Sequence, residues 1–112
     1  IFGDLTTLYD LNALWIANKL STSALRIVLI NNGGGQIFSR MFEQTEFVNS
    51  HNLSFEYWAK MWGWTWSCHT HWNLDTLSDN QTISKKHIFE IRPDSIQTNL
   101  FWSKWDKLCK SL

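Results

Sequence analysis

The sequence predicts an α/β protein with a parallel sheet of the doubly wound type. Segments with the periodicity of helices and of strands alternate along the chain, as they do in sheets whose parallel strands are joined by crossover helices. Leu25 to Ile30 is a short apolar run rich in β-branched residues, which is typical of a strand buried on both faces. The segment before it, Leu5 to Lys19, carries apolar residues at helical spacing. We therefore expect a strand end, a helix and a second strand at the start of the chain.

The boundaries of the other elements follow from caps, turns and periodicity. The first helix should begin just after Asp4, with Thr6 and Thr7 satisfying amides of its first turn. The remaining predictions, in chain order, are a turn at Ser21 to Ser23, a short helix and loop within Phe38 to Phe47, a helix from Ser54 to Trp62, a strand from Thr65 to Thr70, a helical turn from Trp72 to Leu77, a strand from His87 to Ile91 that Pro93 ends, and a terminal helix from Ser95 to Lys110.

Polar residues follow the first two predicted strands. Asp4 comes directly after a hydrophobic start, and Asn32 lies in the Asn-Gly-rich segment after Ile30. The carboxyl ends of parallel strands open on the same edge of a sheet, so Asp4 and Asn32 can meet there. One carboxylate, one carboxamide and a glycine carbonyl form a ligand set that suits Mg²⁺ carrying a diphosphate. On spacing alone, a helix cap at Asp4 and a simple turn at Asn32 also explain these residues.

Two longer strings narrow the function. Residues 3–14 read GDLTTLYDLNAL and residues 31–39 read NNGGGQIFS. Together they resemble the thiamine-diphosphate motif of the MenD family, the 2-succinyl-5-enolpyruvyl-6-hydroxy-3-cyclohexene-1-carboxylate synthases of menaquinone and phylloquinone biosynthesis. Leu5 stands where most thiamine-diphosphate enzymes have a second glycine, and it suits the MenD version of the motif. The resemblance implies that residues 1–112 are the carboxyl-terminal part of a thiamine-diphosphate-binding domain, with an incomplete doubly wound sheet and upstream domains absent.

The resemblance also implies roles for individual residues. Asp4 and Asn32 would bind Mg²⁺ or Mn²⁺ through side-chain oxygens and Gly34 through its carbonyl, with Asn31 as the alternative to Asn32. Other residues would contact the cofactor: Gly3, Leu5 and Thr6 near the diphosphate, and Ile37 and Phe38 near the thiazolium ring. No catalytic residue is expected in the chain, because the family's activating Glu lies in a separate amino-terminal domain.

The implied reaction decarboxylates 2-oxoglutarate on thiamine diphosphate and adds the remaining unit to isochorismate. The complete enzyme is expected to be a homo-oligomer, whereas the chain alone is expected to be inactive. Two other interpretations remain open. The chain could be the equivalent piece of another thiamine-diphosphate enzyme, of the acetolactate synthase or 2-oxoacid decarboxylase type, or a non-catalytic interaction domain that keeps the fold.

Composition limits the other possibilities. Ten basic and ten acidic residues cancel, and the absence of a basic stripe argues against nucleic-acid binding. No apolar stretch reaches the roughly 18 to 20 residues that span a bilayer. Cys68 and Cys109 are too few for a disulfide framework, which favours a reducing compartment. We expect a soluble protein of the cytoplasm, or of the plastid stroma in a photosynthetic organism.

Two minor features have alternative functional interpretations. The eight tryptophans could form a sugar- or base-stacking platform, although core packing is the stronger interpretation. Cys68, His69 and His71 suggest zinc, but alternation along a strand would place Cys68 opposite the two histidines. No nucleophile elbow or nucleotide P-loop occurs in the sequence.

Overall fold

The structure is a computed structural model that describes residues 1–20, 24–42, 45–71 and 85–111. Within these ranges the strands form one all-parallel sheet in the order β1-β2-β4-β3. The strands are β1 (Phe2–Gly3), β2 (Leu25–Ile30), β3 (Thr65–His69) and β4 (Lys86–Ile91). The helices are α1 (Asp4–Tyr9), α2 (Ala13–Lys19), α3 (Phe38–Met41), α4 (Glu56–Met61) and α5 (Ser95–Lys110), with a 3₁₀ turn at Thr45–Val48. The α/β class and the parallel sheet are confirmed, whereas the doubly wound classification stays a prediction.

The hydrophobic core lies between the sheet and helices α2 and α4. Ile27, Leu29 and Ile88 of the sheet pack against side chains from the helices and their flanks. Burying each of these large aliphatic or aromatic side chains contributes roughly 1.5–3 kcal/mol. The rest of this buried cluster is Leu14, Phe55, Ala59 and Trp64.

The predicted helix from Leu5 to Lys19 is interrupted in the structure. Helix α1 ends at Tyr9, and α2 begins at Ala13 after a turn. The carbonyl of Leu11 leaves the helical ladder and accepts a hydrogen bond of 2.7 Å from the indole Nε1 of Trp58. Asp10 and Asn12 flank it, and such residues favour turns because their side chains compete for backbone hydrogen bonds. Periodicity alone did not reveal the break because the apolar spacing continues through the turn.

The predicted capping by the two threonines is also wrong. The Thr7 hydroxyl donates to the carbonyl of Gly3 at 2.9 Å, so it acts as a donor rather than as an acceptor for a first-turn amide. The first amide of the helix, that of Leu5, instead donates to Oδ1 of Asp4 at 2.7 Å.

The other described elements agree with the predicted ones within two residues at either end. Strand β2 and helix α5 have the predicted boundaries. The predicted turn at Ser21 to Ser23 and the helical turn from Trp72 to Leu77 lie outside the described residues. No helix in the described ranges has both the length and the apolar character needed to cross a membrane.

Core packing is confirmed for four of the seven tryptophans in the described part of the chain, and Trp72 lies outside it. Trp64 is buried, and Trp58, Trp62 and Trp66 are partly buried against the core cluster. Trp15 and Trp105 are both 51% exposed, so the core interpretation does not extend to them.

Candidate functional site

The candidate site lies where the four strands end. Their pairing register places Gly3 opposite Ile30, and Ile30 and His69 each opposite Ile91. All four strands therefore stop at the same level, and the segments that follow them share one edge of the sheet. The segment after β2 consequently lies beside Asp4, as the topology argument predicts.

Asp4 is a buried carboxylate of this edge and joins the two loops. Its side chain retains little exposure, and its two oxygens have different partners. Oδ1 accepts from the amide of Leu5, and Oδ2 accepts from the amide of Gly34 at 2.8 Å. Asp4 therefore caps its own helix and also holds the glycine loop against that helix.

Asn32 brings its side-chain amide to the same point. As the structure stands, its amide oxygen faces Gly34 O and Asp4 Oδ2, and exchanging the amide atoms would let the nitrogen donate to them at 2.7 and 3.2 Å. In the first orientation, three oxygens converge without a hydrogen between them, which is unfavourable unless a cation lies nearby. In the second, the amide hydrogen-bonds both neighbours. The surrounding hydrogen-bond partners favour the second orientation.

The glycine loop is held in place by the segment Val48–His51. The amide of Gly35 donates to Val48 O at 2.6 Å, and the amide of His51 donates to Gly33 O at 3.1 Å. Gly34 has a φ of 129°, and a Cβ there would lie 2.6 Å from Val48 O. A residue with a side chain would clash with this backbone, so Gly34 is required by a close approach as well as by its conformation.

Asn31, the alternative ligand, points elsewhere. Its Nδ2 donates to Glu90 Oε1 at 2.6 Å and to Leu53 O at 2.8 Å, and its Oδ1 accepts from the amide of Gly33 at 3.3 Å. The Asn31 amide is thus engaged at both ends away from Asp4. The geometry favours Asn32 over Asn31 as the partner of Asp4.

Glu90 is a buried carboxylate that the sequence argument missed. It is 0% exposed and accepts four hydrogen bonds, from Asn31 Nδ2, Arg92 Nε, Trp66 Nε1 and the amide of Phe55. Burial raises the pKa of Glu90, but these hydrogen bonds outweigh burial and lower it overall. The available signal was a charged residue between the apolar Phe89 and Ile91 of a predicted strand, because such residues are almost never buried without a partner.

His51 is a second residue that the sequence argument missed. Its Nε2 is buried and lies 3.3 Å from Asp4 Oδ2, although the alignment falls short of a hydrogen bond. The ring also lines a cleft of about 330 Å³ beside the glycine loop. The other residues lining the cleft are Asn31, Asn32, Gly33, Asn52, Leu53, Arg92 and Pro93.

The remaining predicted cofactor residues surround the loop with more exposure. Leu5 is half-buried, and Gly3 and Thr6 are exposed. Ile37 is 66% exposed and Phe38 37% exposed, so both present apolar surface to solvent next to the glycine loop. The structure brings these residues to one edge, while their roles toward a cofactor stay predictions.

The structure adds no support for a zinc site at Cys68. Ser67 Oγ hydrogen-bonds the Nε2 atoms of both His69 and His87, at 2.8 and 2.9 Å. Burial first, and then the neighbouring His69 and Arg26, lower the pKa of His87. Among the described residues, no three His, Cys, Asp or Glu side chains are grouped to hold a metal. The ligand set predicted at Asp4 is of another type, because it includes one amide and one backbone carbonyl.

Comparison with known proteins gives one consistent result. A 2-succinyl-5-enolpyruvyl-6-hydroxy-3-cyclohexene-1-carboxylate synthase of Bdellovibrio bacteriovorus is 42% identical over 111 residues, which cover 98% of this chain and 20% of that protein. Proteins of the same name from Flavobacterium psychrophilum and Bacillus velezensis are 41% and 32% identical, over 77% and 84% of the chain. The chain belongs to this synthase family. No protein-family model matches it.

The match to the synthase family lies at the carboxyl-terminal end of the relatives. The chain spans about a fifth of the length of the Bdellovibrio synthase. The alignment with that synthase covers 98% of the chain. The motifs that resemble the family, by contrast, lie within the first 39 residues.

Proposed function

We propose that the chain is the carboxyl-terminal, cofactor-binding part of a synthase that uses thiamine diphosphate and Mg²⁺ or Mn²⁺. The synthase would decarboxylate 2-oxoglutarate and add the resulting unit to isochorismate. The observation that carries the proposal is the convergence of Asp4, Asn32 and the Gly34 carbonyl at the carboxyl edge of a parallel sheet. The names of the relatives support the same activity.

The residues at this edge fit a hard divalent cation. Mg²⁺ prefers oxygen ligands and is usually bound by one or two protein carboxylates together with phosphate oxygens and water. Asp4 offers the carboxylate and Gly34 its carbonyl, and the Asn32 amide beside them would turn its oxygen toward a bound cation.

The residues of the chain have distinct tasks in this proposal. Asp4 holds the glycine loop and binds the metal ion, and Asn32 and Gly34 complete the protein's share of its ligands. Ile37 and Phe38 present exposed apolar surface that would exclude water from one side of the reacting atoms. Thiamine diphosphate, when bound, would supply the chemistry that breaks and forms carbon–carbon bonds.

The other parts of the activity are proposed from the family resemblance. The Glu that activates the cofactor and the groups that bind both anionic substrates would come from the larger protein that the relatives represent, assembled as a homo-oligomer. The chain itself would supply the metal-binding half of the cofactor site.

The test uses a chimera in which this chain replaces the aligned carboxyl-terminal fifth of the Bdellovibrio synthase. We expect the chimera to bind thiamine diphosphate only when Mg²⁺ is present, as measured by titration calorimetry. Asp4→Ala should abolish this binding, because it removes the charged ligand and releases the glycine loop. Asp10→Ala is the matched control, since Asp10 is an exposed aspartate in the turn just after α1, and it should leave the affinity unchanged.

Unchanged calorimetric affinity in the Asp4→Ala chimera would contradict the proposed site. The reaction class is tested separately by supplying 2-oxoglutarate with isochorismate or with pyruvate as acceptor. Product from isochorismate alone supports the synthase activity. Product from pyruvate alone would instead indicate another thiamine-diphosphate enzyme.

A further inference from the structure

His51 belongs to a third segment of the chain that reaches the Asp4 site. The segment follows the 3₁₀ turn and is fixed to the glycine loop by the hydrogen bond from the His51 amide to Gly33 O. The His51 ring is thereby placed against Asp4 Oδ2, with Nε2 at 3.3 Å. The side chain of His51 is 11% exposed and that of Asp4 5% exposed, so the contact is largely shielded from water.

The neighbours of the ring determine which nitrogen carries the hydrogen. The amide of Leu53 donates to Nδ1 of His51 at 3.3 Å, so Nδ1 is the acceptor. In the neutral ring the hydrogen then lies on Nε2. Nε2 is buried and has no hydrogen-bond partner among the described residues. A buried N–H without a partner is costly, and such groups are often found to have a functional reason.

We propose that His51 is a positioning residue that fixes the Asp4 carboxylate for metal binding. The amides of Leu5 and Gly34 hold one oxygen each, and both belong to the segments that carry the proposed ligands, the start of α1 and the glycine loop. His51 Nε2 lies 3.3 Å from Oδ2 on an independent segment, so a small shift on metal binding would let its N–H donate to Oδ2 and give the carboxylate a third restraint. Outer partners of this kind orient metal ligands, and their loss typically weakens metal affinity by about 10- to 100-fold.

This inference rests on the proposed function, because it assumes that Asp4 binds the ion. It goes beyond that proposal by assigning a task to a residue outside the sequence motif. His51 does not contact the reacting atoms in this role, and its effect should appear in the affinity for Mg²⁺ rather than in the number of sites.

The test compares His51→Leu with His51→Gln on the 112-residue chain and, in parallel, on the chimera. Leu has a similar volume and no donor, whereas Gln carries an N–H near the position of Nε2. Mg²⁺ is titrated at a fixed concentration of thiamine diphosphate, and both the midpoint and the stoichiometry are measured by calorimetry. His71→Leu is the matched control, since His71 is exposed on the segment after β3.

We expect His51→Leu to raise the Mg²⁺ midpoint by about 10-fold or more with unchanged stoichiometry, and His51→Gln to stay within about threefold of the unchanged protein. A purely structural role would instead lower the stoichiometry or the melting temperature without Mg²⁺. If His51→Leu does not fold, His51→Asn replaces it, because its amide is too short to reach Asp4 and it should resemble Leu in its effect.

Two results would overturn the inference. One is a Mg²⁺ midpoint of His51→Leu equal to that of the unchanged protein, while Asp4→Ala still abolishes binding. The proposed function would then stand, and the role given to His51 would be wrong. The other is equal weakening by Gln and Leu. Absence of Mg²⁺-dependent binding in the unchanged chimera would overturn the proposed function and, with it, the role of His51.

Discussion

At the scale of single residues, two carboxylates organise the carboxyl edge of the sheet in different ways. Asp4 lies where the loops meet, beside the Asn32 amide and the Gly34 carbonyl, so the three groups can share a ligand. Glu90 lies two strands away, in β4, and its two oxygens accept from four donors. Glu90 therefore connects β3, β4 and the segments beside them through buried hydrogen bonds, one of which comes from the Asn31 amide.

Replacement of Glu90 should cost stability. Glu90→Gln removes the counter-ion of Arg92 and turns an amide N–H toward groups that are themselves donors. We expect the free energy of unfolding to fall by about 1–3 kcal/mol, because donors around the buried side chain lose their acceptor. Urea denaturation measures it, with Glu46→Gln on the exposed 3₁₀ turn as a control that should not move the midpoint. A loss equal to that of the control would show that the network is not stabilising.

The same carboxylate predicts the direction of the acid dependence. The pKa of Glu90 is lowered in the fold from its ordinary value of 4.5. A lowered folded pKa means that the stability is present above 4.5 and is lost as the pH falls below it, through the folded pKa. The free energy of unfolding should therefore decrease below about pH 4.5, and Glu90→Gln should make that decrease shallower. An acid dependence as steep in Glu90→Gln as in the unchanged chain would contradict this assignment.

At the scale of elements, the site depends on a glycine loop packed against the Val48–His51 segment. The loop comes from the end of β2, and the segment comes from the connection to α4. The chain therefore holds the Asp4 site by backbone contacts between two connections rather than by one helix end. The closeness of Gly34 to Val48 O shows how tight this packing is.

Substitutions at Gly34 and at a control glycine should distinguish the cost of a strained backbone from the cost of a clash with Val48 O. Gly34→Ala adds a Cβ 2.6 Å from Val48 O at a φ of 129°, and we expect it to cost more than about 2 kcal/mol and to weaken Mg²⁺-dependent binding. Gly63→Ala is the control, because Gly63 has a φ of 72° but nothing within 4 Å of its added Cβ. It should cost about 1 kcal/mol and leave binding unchanged. Denaturant unfolding and calorimetry give both values, and equal costs at the two positions would contradict the role of the close approach.

At the scale of the whole molecule, the chain leaves much apolar surface uncovered. Its radius of gyration is 16.5 Å, whereas a compact domain of this length would have about 13 Å. Helix α5 illustrates the difference, since Ile96, Phe101 and Leu108 are each more than half exposed. Monomeric soluble proteins rarely expose large contiguous apolar patches. This surface fits the proposal that the chain works as part of the longer synthase.

The isolated chain should therefore be inactive. With thiamine diphosphate, Mg²⁺, 2-oxoglutarate and isochorismate, we expect no product from the 112-residue chain and product from the chimera, because the activating Glu and the substrate-binding groups are expected elsewhere. Product formation followed by chromatography measures this. Turnover by the isolated chain would show that it carries the whole active site.

The sequence by itself determined the local elements and the pairing of the two loops. The apolar run of β2 and the cap and periodicity of α5 are local signals, and both elements have the predicted ends. The meeting of Asp4 and Asn32 followed from parallel strand order. The tertiary structure decided the break after α1, the separate tasks of Asn31 and Asn32, and the positions of Glu90 and His51. Each of these depends on contacts between residues far apart in the chain, such as Trp58 with Leu11, and local periodicity carries no information about them.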